Sequence, residues 1–113
     1  MGIPAVGDIV VLPFPFSDGS GVKRRPALVL AEADDRDAIV CQITSRPYAS
    51  RHPVAIEQDA LVFGSLPLVS YARPEKLFSA SRTTLNASIA SVDVATLNAA
   101  LTIARGLFAP QRV

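Results

Sequence analysis

Residues 7–30, GDIVVLPFPFSDGSGVKRRPALVL, predict a β-hairpin that carries a cluster of positive charge. Two apolar runs of strand length flank a loop rich in glycine and serine, and Lys23, Arg24 and Arg25 stand where the second run begins. A guanidinium group is always charged, and its planar fork matches the oxygens of a phosphate. The hairpin therefore indicates a phosphate-binding edge. The simpler alternative is a solvated loop that keeps an apolar hairpin soluble.

The length and composition of the chain fit one small domain. We expect residues 1–113 to fold as a single unit, because a chain of 113 residues buries roughly two-thirds of the surface that it exposes when unfolded. The one cysteine, Cys41, lies in an apolar run and is expected to be a buried thiol without a disulfide partner. We find no secretory leader and no apolar stretch of membrane-spanning length, and these features together favour a reducing cytoplasm.

Short apolar runs bounded by Gly, Pro, Asp or Ser predict a compact, mainly β core. They cover residues 9–14, 27–31, 38–43, 54–56 and 66–71, and the acidic segment 32–37 is expected to be a hairpin turn. The first three runs are almost continuously apolar. This predicts strands covered on both faces, by the interior of the fold and by a helix or a partner subunit. A homodimer is therefore favoured.

One amphipathic helix is predicted at the C-terminus. Asp93 can cap it, and Gly106 and Pro110 mark its end. Its apolar residues recur at three- and four-residue spacing: Val94, Leu97, Leu101, Ala104 and Phe108. We expect this helix to pack on the β core, and a partner-binding helix is the alternative.

The order and spacing of several motifs resemble the MazF/PemK family of toxin endoribonucleases. The family's first strand opens with Gly-Asp and its second with Arg-Pro followed by small and aliphatic residues, as Gly7-Asp8 and residues 25–30, RPALVL, do here. QITSR at 42–46 and SYARPEKL at 70–77 match the end of the family's third strand and a late strand edge. The resemblance covers nearly the whole chain. It implies an SH3-like small β-barrel of five to seven strands with a C-terminal α-helix.

Cleavage of RNA without a metal needs a nucleophilic 2′-hydroxyl, a base, a cation for the phosphate oxygens and an acid for the leaving oxygen. The single histidine, His52, excludes a two-histidine acid and base pair within one chain. The sequence has no His, Cys and Asp pattern at metal-ligand spacing, so we expect neither a metal nor another cofactor.

Arg25 is the first candidate for the catalytic cation. Pro26 disfavours a helical backbone at residue 25, so this side chain should project from an extended strand beside a glycine-containing loop. The resemblance implies that this arginine is catalytic. The alternative is a structural arginine that binds loop carbonyls.

Thr44, Arg73 and Glu75 complete the predicted catalytic set. Thr44 could donate to a phosphate oxygen, and the resemblance implies a catalytic threonine or serine at this strand end, although threonine is also simply common in strands. Arg73 and Glu75 are two residues apart in an extended segment, so both should point to one face. There the carboxylate could accept a proton while the arginine holds the phosphate and lowers the carboxyl pKa. PemK-type members have Asp where this chain has Glu75, and an ordinary surface ion pair is the alternative.

Further residues are predicted to bind single-stranded RNA: Phe16, Lys23, Arg24, Ser45, Arg46 and Arg51. The net charge is only +1, so attraction to nucleic acid requires the fold to gather these cations on one face. Ser45 adds a hydroxyl beside Thr44, and Phe16 would stack on an unpaired base.

These features predict a homodimeric, metal-independent endoribonuclease that cleaves single-stranded messenger RNA in the cytoplasm. Its products would carry 2′,3′-cyclic phosphate and 5′-hydroxyl ends. The resemblance further implies the toxin of a type II toxin–antitoxin pair, restrained by an antitoxin whose acidic disordered segment occupies the basic groove.

Two other functions stay open at this point. A gyrase-binding poison resembling CcdB shares the barrel, but it relies on a tryptophan near its C-terminus and this chain has no tryptophan. A non-catalytic barrel that only binds RNA or protein is the second alternative.

Overall fold

The fold is an antiparallel sheet that curls into a nearly closed barrel. The computed structural model describes residues 4–15, 19–85 and 87–110. Within these residues the strands are β1 (Asp8–Pro15), β2 (Val22–Glu32), β3 (Asp37–Thr44), β4 (Val54–Ile56), β5 (Leu61–Gly64), β6 (Ser70–Ser81) and β7 (Ala90–Val92), followed by helix α1 (Val94–Leu107). Their order in the sheet is β4-β6-β3-β2-β1-β7-β5. The edge strands β4 and β5 are joined by residues 57–60 alone, so the two edges lie close together. The predicted small β-barrel with a C-terminal helix is confirmed.

The hairpin predicted from residues 7–30 is present, with β1 and β2 paired from Ile9 opposite Leu28 to Pro15 opposite Val22. β2 continues into a second hairpin with β3. The acidic turn between them is held by the Asp34 carboxylate, which accepts the backbone N–H groups of Arg36 at 2.8 Å and of Asp37 at 2.7 Å. These hydrogen bonds hold the pKa of Asp34 below its ordinary value. The prediction that this segment is a hairpin turn is confirmed.

Apolar clusters bury both faces of β1, β2 and β3. The first cluster takes side chains from every described strand and from α1, and it includes Ile9, Leu28, Cys41, Ile43, Ile56 and Ala100. The second cluster is built from Val10, Leu12, Phe14, Val29, Val40 and Leu85, with Phe78 and Ala80 of β6 packed against it. Alternate residues of a strand point to opposite faces, which is why neighbours such as Ile9 and Val10 join different clusters. The predicted burial of both faces is confirmed, and the chain supplies it without a partner subunit.

Cys41 is fully buried in the first cluster, as predicted. Burial raises the pKa of its thiol to about 12, so the thiolate is absent at neutral pH.

Helix α1 begins and packs as predicted. The Asp93 carboxylate accepts the backbone N–H of Thr96 at 2.8 Å and caps the helix. The side chains that α1 packs into the first cluster are Leu97, Ala100, Leu101, Ile103 and Ala104. The predicted apolar face is wrong at its two ends: Val94 is 71% exposed and Phe108 is 76% exposed, because both extend past the buried contact made by the middle of the helix. No helix in the described part of the chain is long and apolar enough to cross a membrane.

The sequence prediction misses two short strands and misplaces both ends of a third. β5 and β7 were not predicted, and they contain only four and three residues. The strand predicted over residues 66–71 is wrong at 66–69, since β6 begins at Ser70 and continues to Ser81. The apolar character of this segment belongs to a loop, in which Leu68 and Val69 are 63% and 53% exposed.

Candidate active site

A groove of about 770 Å³ crosses β1, β2, β3 and β6 at the end of the sheet where β2 begins and β3 ends. Its apolar lining consists of Pro13, Phe14, Ala49, Leu77 and Phe78. The rings of Phe14 and Phe78 meet edge to face with their centroids 4.7 Å apart, which fixes the aromatic wall of the groove. The rest of the lining is polar or charged.

Strand periodicity explains why the polar residues share one face. Lys23 and Arg25 lie opposite Phe14 and Leu12 on β1, both members of the second cluster. On β3, Thr44 and Gln42 lie on the strand face that carries Val40 of the same cluster. The face that is apolar at one end of the sheet therefore becomes polar towards the other end.

The groove is strongly cationic. Among the described residues its lining contains five cations and no carboxylate; the cations are Lys23, Arg25, Arg46, Arg73 and Lys76. In the same described residues, no group of three or more His, Cys, Asp or Glu side chains could hold a metal ion. A concave surface with this charge favours a polyanion over a neutral ligand.

A chain of hydrogen bonds fixes Arg73 beside the groove. Ser50 Oγ donates to Glu75 Oε1 at 2.8 Å, and Arg73 Nε donates to Glu75 Oε2 at 3.3 Å. Arg73 Nη1 donates to Gln42 Oε1 at 3.0 Å. Burial raises the pKa of the Glu75 carboxyl, but the hydrogen bonds from its own N–H, Ser50 and Arg73, with the Arg73 charge, outweigh that effect and hold the pKa below its ordinary value. Glu75 is therefore ionised at neutral pH.

A bulge in β6 creates this arrangement. Gln42 pairs with Arg73 and the preceding Cys41 pairs with Leu77, so residues 74–76 form an extra segment between the two paired positions. Pro74, which lacks an N–H for the sheet ladder, is fully buried in that segment. The bulge lets Lys76 reach the groove while Glu75 meets Ser50.

Thr44 and Arg25 offer donors to the groove. Thr44 Oγ1 accepts the backbone N–H of Arg46 at 3.1 Å, so its hydroxyl hydrogen remains available for a ligand. Arg25 is half-buried, and among the described residues no hydrogen bond or ion pair involves its guanidinium. All its N–H groups can therefore turn to an anion.

Most of the predicted site residues come together here. Of the predicted catalytic residues, the groove is lined by Arg25, Thr44 and Arg73, and Glu75 is bound to Arg73 without being part of the lining. Of the residues predicted to bind RNA, the groove is lined by Lys23, Ser45 and Arg46. Arg24 faces the other side of β2 and Arg51 follows the short 3-10 helix Pro47–Ala49; both are exposed and lie outside the lining. Phe16 lies outside the described residues.

Three polar or charged residues of the site were not singled out from the sequence. Gln42 could have been found, because it stands two residues before Thr44 and so shares its strand face. Lys76 reaches the groove only because β6 is bulged. Ser50 carried no local signal, since its contact with Glu75 joins residues 25 positions apart.

Solved structures with the same fold include toxins of toxin–antitoxin complexes. The chain is similar to the crystal structure of MazE–MazF (Form-III) from Deinococcus radiodurans, with a TM-score of 0.75 and 20% identity over 97% of this chain and 100% of that chain. It is also similar to an endoribonuclease in complex with its cognate antitoxin from a mycobacterial species, with a TM-score of 0.63 and 22% identity over 97% of this chain and 100% of that chain. At these identities the likeness establishes a shared fold.

A comparison with curated proteins found no match to this chain. The model of the PemK-like, MazF-like toxin family matches residues 5–107, from before β1 to the last residue of α1. Because that match spans the barrel, the groove residues and the helix, the chain belongs to the PemK-like, MazF-like toxins of type II toxin–antitoxin systems.

Proposed function

We propose that this chain is the toxin of a type II toxin–antitoxin pair and acts in the cytoplasm as a sequence-specific, metal-independent endoribonuclease on single-stranded messenger RNA. The observation that carries the proposal is the joint presence of Arg25, Thr44 and Arg73 in a groove whose described lining has no carboxylate. Such a groove attracts a phosphate backbone. Its aromatic wall suits bases that are not paired in a duplex.

In the proposed reaction the RNA supplies its own nucleophile. The 2′-oxygen attacks the adjacent phosphorus, and the bond from phosphorus to the 5′-oxygen of the next nucleotide breaks. The 2′-hydroxyl proton passes to a base and the leaving oxygen takes up a proton, so the products carry 2′,3′-cyclic phosphate and 5′-hydroxyl ends. Arg25 and Arg73 stabilise the charge that develops on the phosphate oxygens, and Thr44 donates a hydrogen bond to one of them.

Glu75 is the residue proposed to accept the proton. Its lowered pKa keeps it ionised at neutral pH, although the same shift weakens it as a base. Its hydrogen bond to Arg73 keeps the carboxylate next to the guanidinium that would hold the phosphate.

A small antitoxin is the proposed partner. Its acidic disordered segment would occupy the groove and exclude RNA, because both ligands need the same cations. The D. radiodurans and mycobacterial structures contain such toxins with MazE or a cognate antitoxin, which supports this proposal.

The test is cleavage of a long single-stranded RNA in EDTA, with the fragment ends mapped and chemically typed. We expect cuts at a short motif with 5′-hydroxyl ends, and a loss of about 100-fold in kcat/KM in Arg25→Ala because a charge-stabilising donor is removed. Arg105→Ala is the matched control: it removes an exposed arginine of α1 that lies outside the groove lining. It should cleave like the wild type.

Two results would contradict the proposal. A folded wild-type chain that leaves RNA intact would rule out the nuclease and favour a barrel that only binds. Equal cleavage by Arg25→Ala and wild type would remove Arg25 from the catalytic set.

A further inference from the structure

We propose that Ser50 and Gln42 are positioning residues that fix Arg73 before RNA binds, Gln42 by direct contact and Ser50 through Glu75. The inference rests on the proposed nuclease function and adds two residues to the same site. Its basis is the continuous path of hydrogen bonds from Ser50 through Glu75 and Arg73 to Gln42.

The Ser50 hydroxyl is oriented by its own surroundings. Its oxygen accepts the backbone N–H of His52 at 3.0 Å, and it donates to Glu75 Oε1 at 2.8 Å. An oxygen that already accepts from the backbone has its hydrogen free for the carboxylate. The segment after the 3-10 helix is thereby tied to the β6 bulge, on which Glu75 stands.

Arg73 is held by two of its N–H groups. Nε donates to Glu75, Nη1 donates to Gln42, and the side chain is only 20% exposed. Two bonds to different residues fix the plane of a guanidinium, which has five N–H groups in a rigid fork. The other N–H groups of Arg73 remain for a phosphate.

Arg73 donates to one neutral acceptor and one charged acceptor, and only the neutral acceptor lies in the groove lining. Gln42, a neutral acceptor, lines the groove, whereas the Glu75 carboxylate does not. A neutral acceptor orients Arg73 without cancelling its charge where the phosphate would bind. A carboxylate at residue 42 would repel the phosphate and neutralise Arg73.

Among the described residues, the titratable side chains that act on the Glu75 carboxyl are Arg73 and Cys41. Arg73 contacts it from β6, and Cys41 lies near it on β3. The Cys41 pKa of about 12 keeps that thiol neutral, so Arg73 and the Ser50 hydroxyl dominate the side-chain environment in which Glu75 titrates.

The first test uses the full chain without RNA and follows the Glu75 carboxyl by carbon NMR as the pH is lowered. We expect the Glu75 pKa to rise in Ser50→Ala, because a hydrogen bond to the ionised form is lost, and to stay near the wild-type value in Ser50→Thr. Ser88→Ala is the matched control, since Ser88 Oγ donates to Asp8 Oδ2 at 2.7 Å at the other end of β1. An unchanged Glu75 pKa in folded Ser50→Ala overturns the proposal.

The second test measures RNA cleavage against pH. We expect kcat/KM to fall about tenfold in Ser50→Ala and in Gln42→Leu, as for loss of one hydrogen bond to a charged group. Activity falls when Glu75 is protonated, so a raised pKa moves the acid limb to higher pH in Ser50→Ala. Gln42→Leu should lower kcat/KM without moving the acid limb of the pH profile. Ser88→Ala should match the wild type.

The outcomes separate this inference from the proposed function. If the wild type does not cleave RNA, the nuclease proposal fails and the NMR titration still decides whether Ser50 acts on Glu75. If the wild type cleaves and Ser50→Ala keeps its rate and acid limb, Ser50 is not a positioning residue and the nuclease proposal stands.

Discussion

Arg25 and Arg73 reach the groove with different degrees of restraint. Arg73 is bound to Glu75 and Gln42, whereas no hydrogen bond to the Arg25 guanidinium occurs among the residues that the structure describes. A fixed donor stabilises a developing charge without having to reorganise during the reaction. A freer side chain can follow the phosphate as its geometry changes. Under the proposed mechanism we therefore expect Arg73 to act as the preorganised donor to the phosphate and Arg25 to shift with the phosphate as its geometry changes.

Substitution of Thr44 tests whether its hydroxyl group takes part in the proposed cleavage. Thr44→Val keeps the shape of the side chain and removes the hydroxyl. We expect kcat/KM to fall about 10- to 100-fold, because a hydrogen bond to a charged group contributes about 1.5–3 kcal/mol. Thr44→Ser retains the hydroxyl and should keep most of the activity. Steady-state cleavage of an RNA with one site is the measurement, and full activity in folded Thr44→Val would exclude Thr44 from the reaction.

Residues of the site could be predicted where the neighbouring sequence or a family motif marks them. Arg25 was recognisable because Pro26 sets its backbone, whereas the strand-end position of Thr44 is a weak signal alone and the resemblance to the MazF/PemK family singled it out. The contact between Arg73 and Gln42 spans 31 positions, and it depends on the register of β3 and β6. No local pattern encodes that register, so the contact of Arg73 with Gln42 could not be predicted from the sequence, although its pairing with Glu75 could.

At the scale of elements, the strands likewise fall into those that a local sequence pattern predicts and those that it does not. β1, β3 and residues 27–31 of β2 were predictable because each is an almost continuous apolar run. β7 is a three-residue strand between β1 and β5, and its stability comes from pairing with both. A segment of that length shows no alternation, so tertiary context alone defines it.

Gly64 is the residue on which the end of β5 depends. Its φ is +74°, and a Cβ at this position would collide with the carbonyl oxygen of Ile89 and lie 2.7 Å from Cα of Ala90. The left-handed backbone alone costs an alanine about 1–2 kcal/mol. We expect Gly64→Ala to lower the free energy of unfolding by more than this amount, because backbone atoms of the neighbouring segment must move.

Gly19→Ala provides the comparison for Gly64→Ala. Gly19 has a similar φ of +77°, but a Cβ there would have no heavy atom within 4 Å. Its expected loss is the backbone cost alone. Urea unfolding of both variants measures the difference in free energy of unfolding. Equal losses would mean that a Cβ at residue 64 does not collide with the backbone at residues 89 and 90.

At the scale of the whole molecule, the net charge is only +1, but cationic and acidic side chains lie at different ends. The groove cations gather at the end of the sheet where β2 begins and β3 ends. Asp34 and Asp35 in the acidic turn and Asp37 at the start of β3 lie at the opposite end of the hairpin. A strand rises about 3.3 Å per residue, so these regions are roughly 25 Å apart. A polyanion is thus drawn to one end of the molecule and repelled from the other.

The surface around β5 favours the homodimer that the sequence predicts. Large apolar side chains are exposed on this edge strand and on the loop after it: Val62 (69%), Phe63 (57%), Leu68 (63%) and Val69 (53%). An apolar patch beside the unpaired backbone of a sheet edge is typical of an association surface. We expect the homodimer to bury it.

Phe63→Glu tests this dimer contact. A carboxylate buried against apolar side chains without a partner is strongly unfavourable, so the variant should be monomeric at concentrations where the wild type is a dimer. Size-exclusion chromatography with light scattering over a range of concentrations gives the mass. Phe108→Glu is the matched control, because Phe108 is 76% exposed beyond the end of α1. A dimeric Phe63→Glu would exclude β5 as the contact, and a monomeric Phe108→Glu would move the contact to the end of the helix.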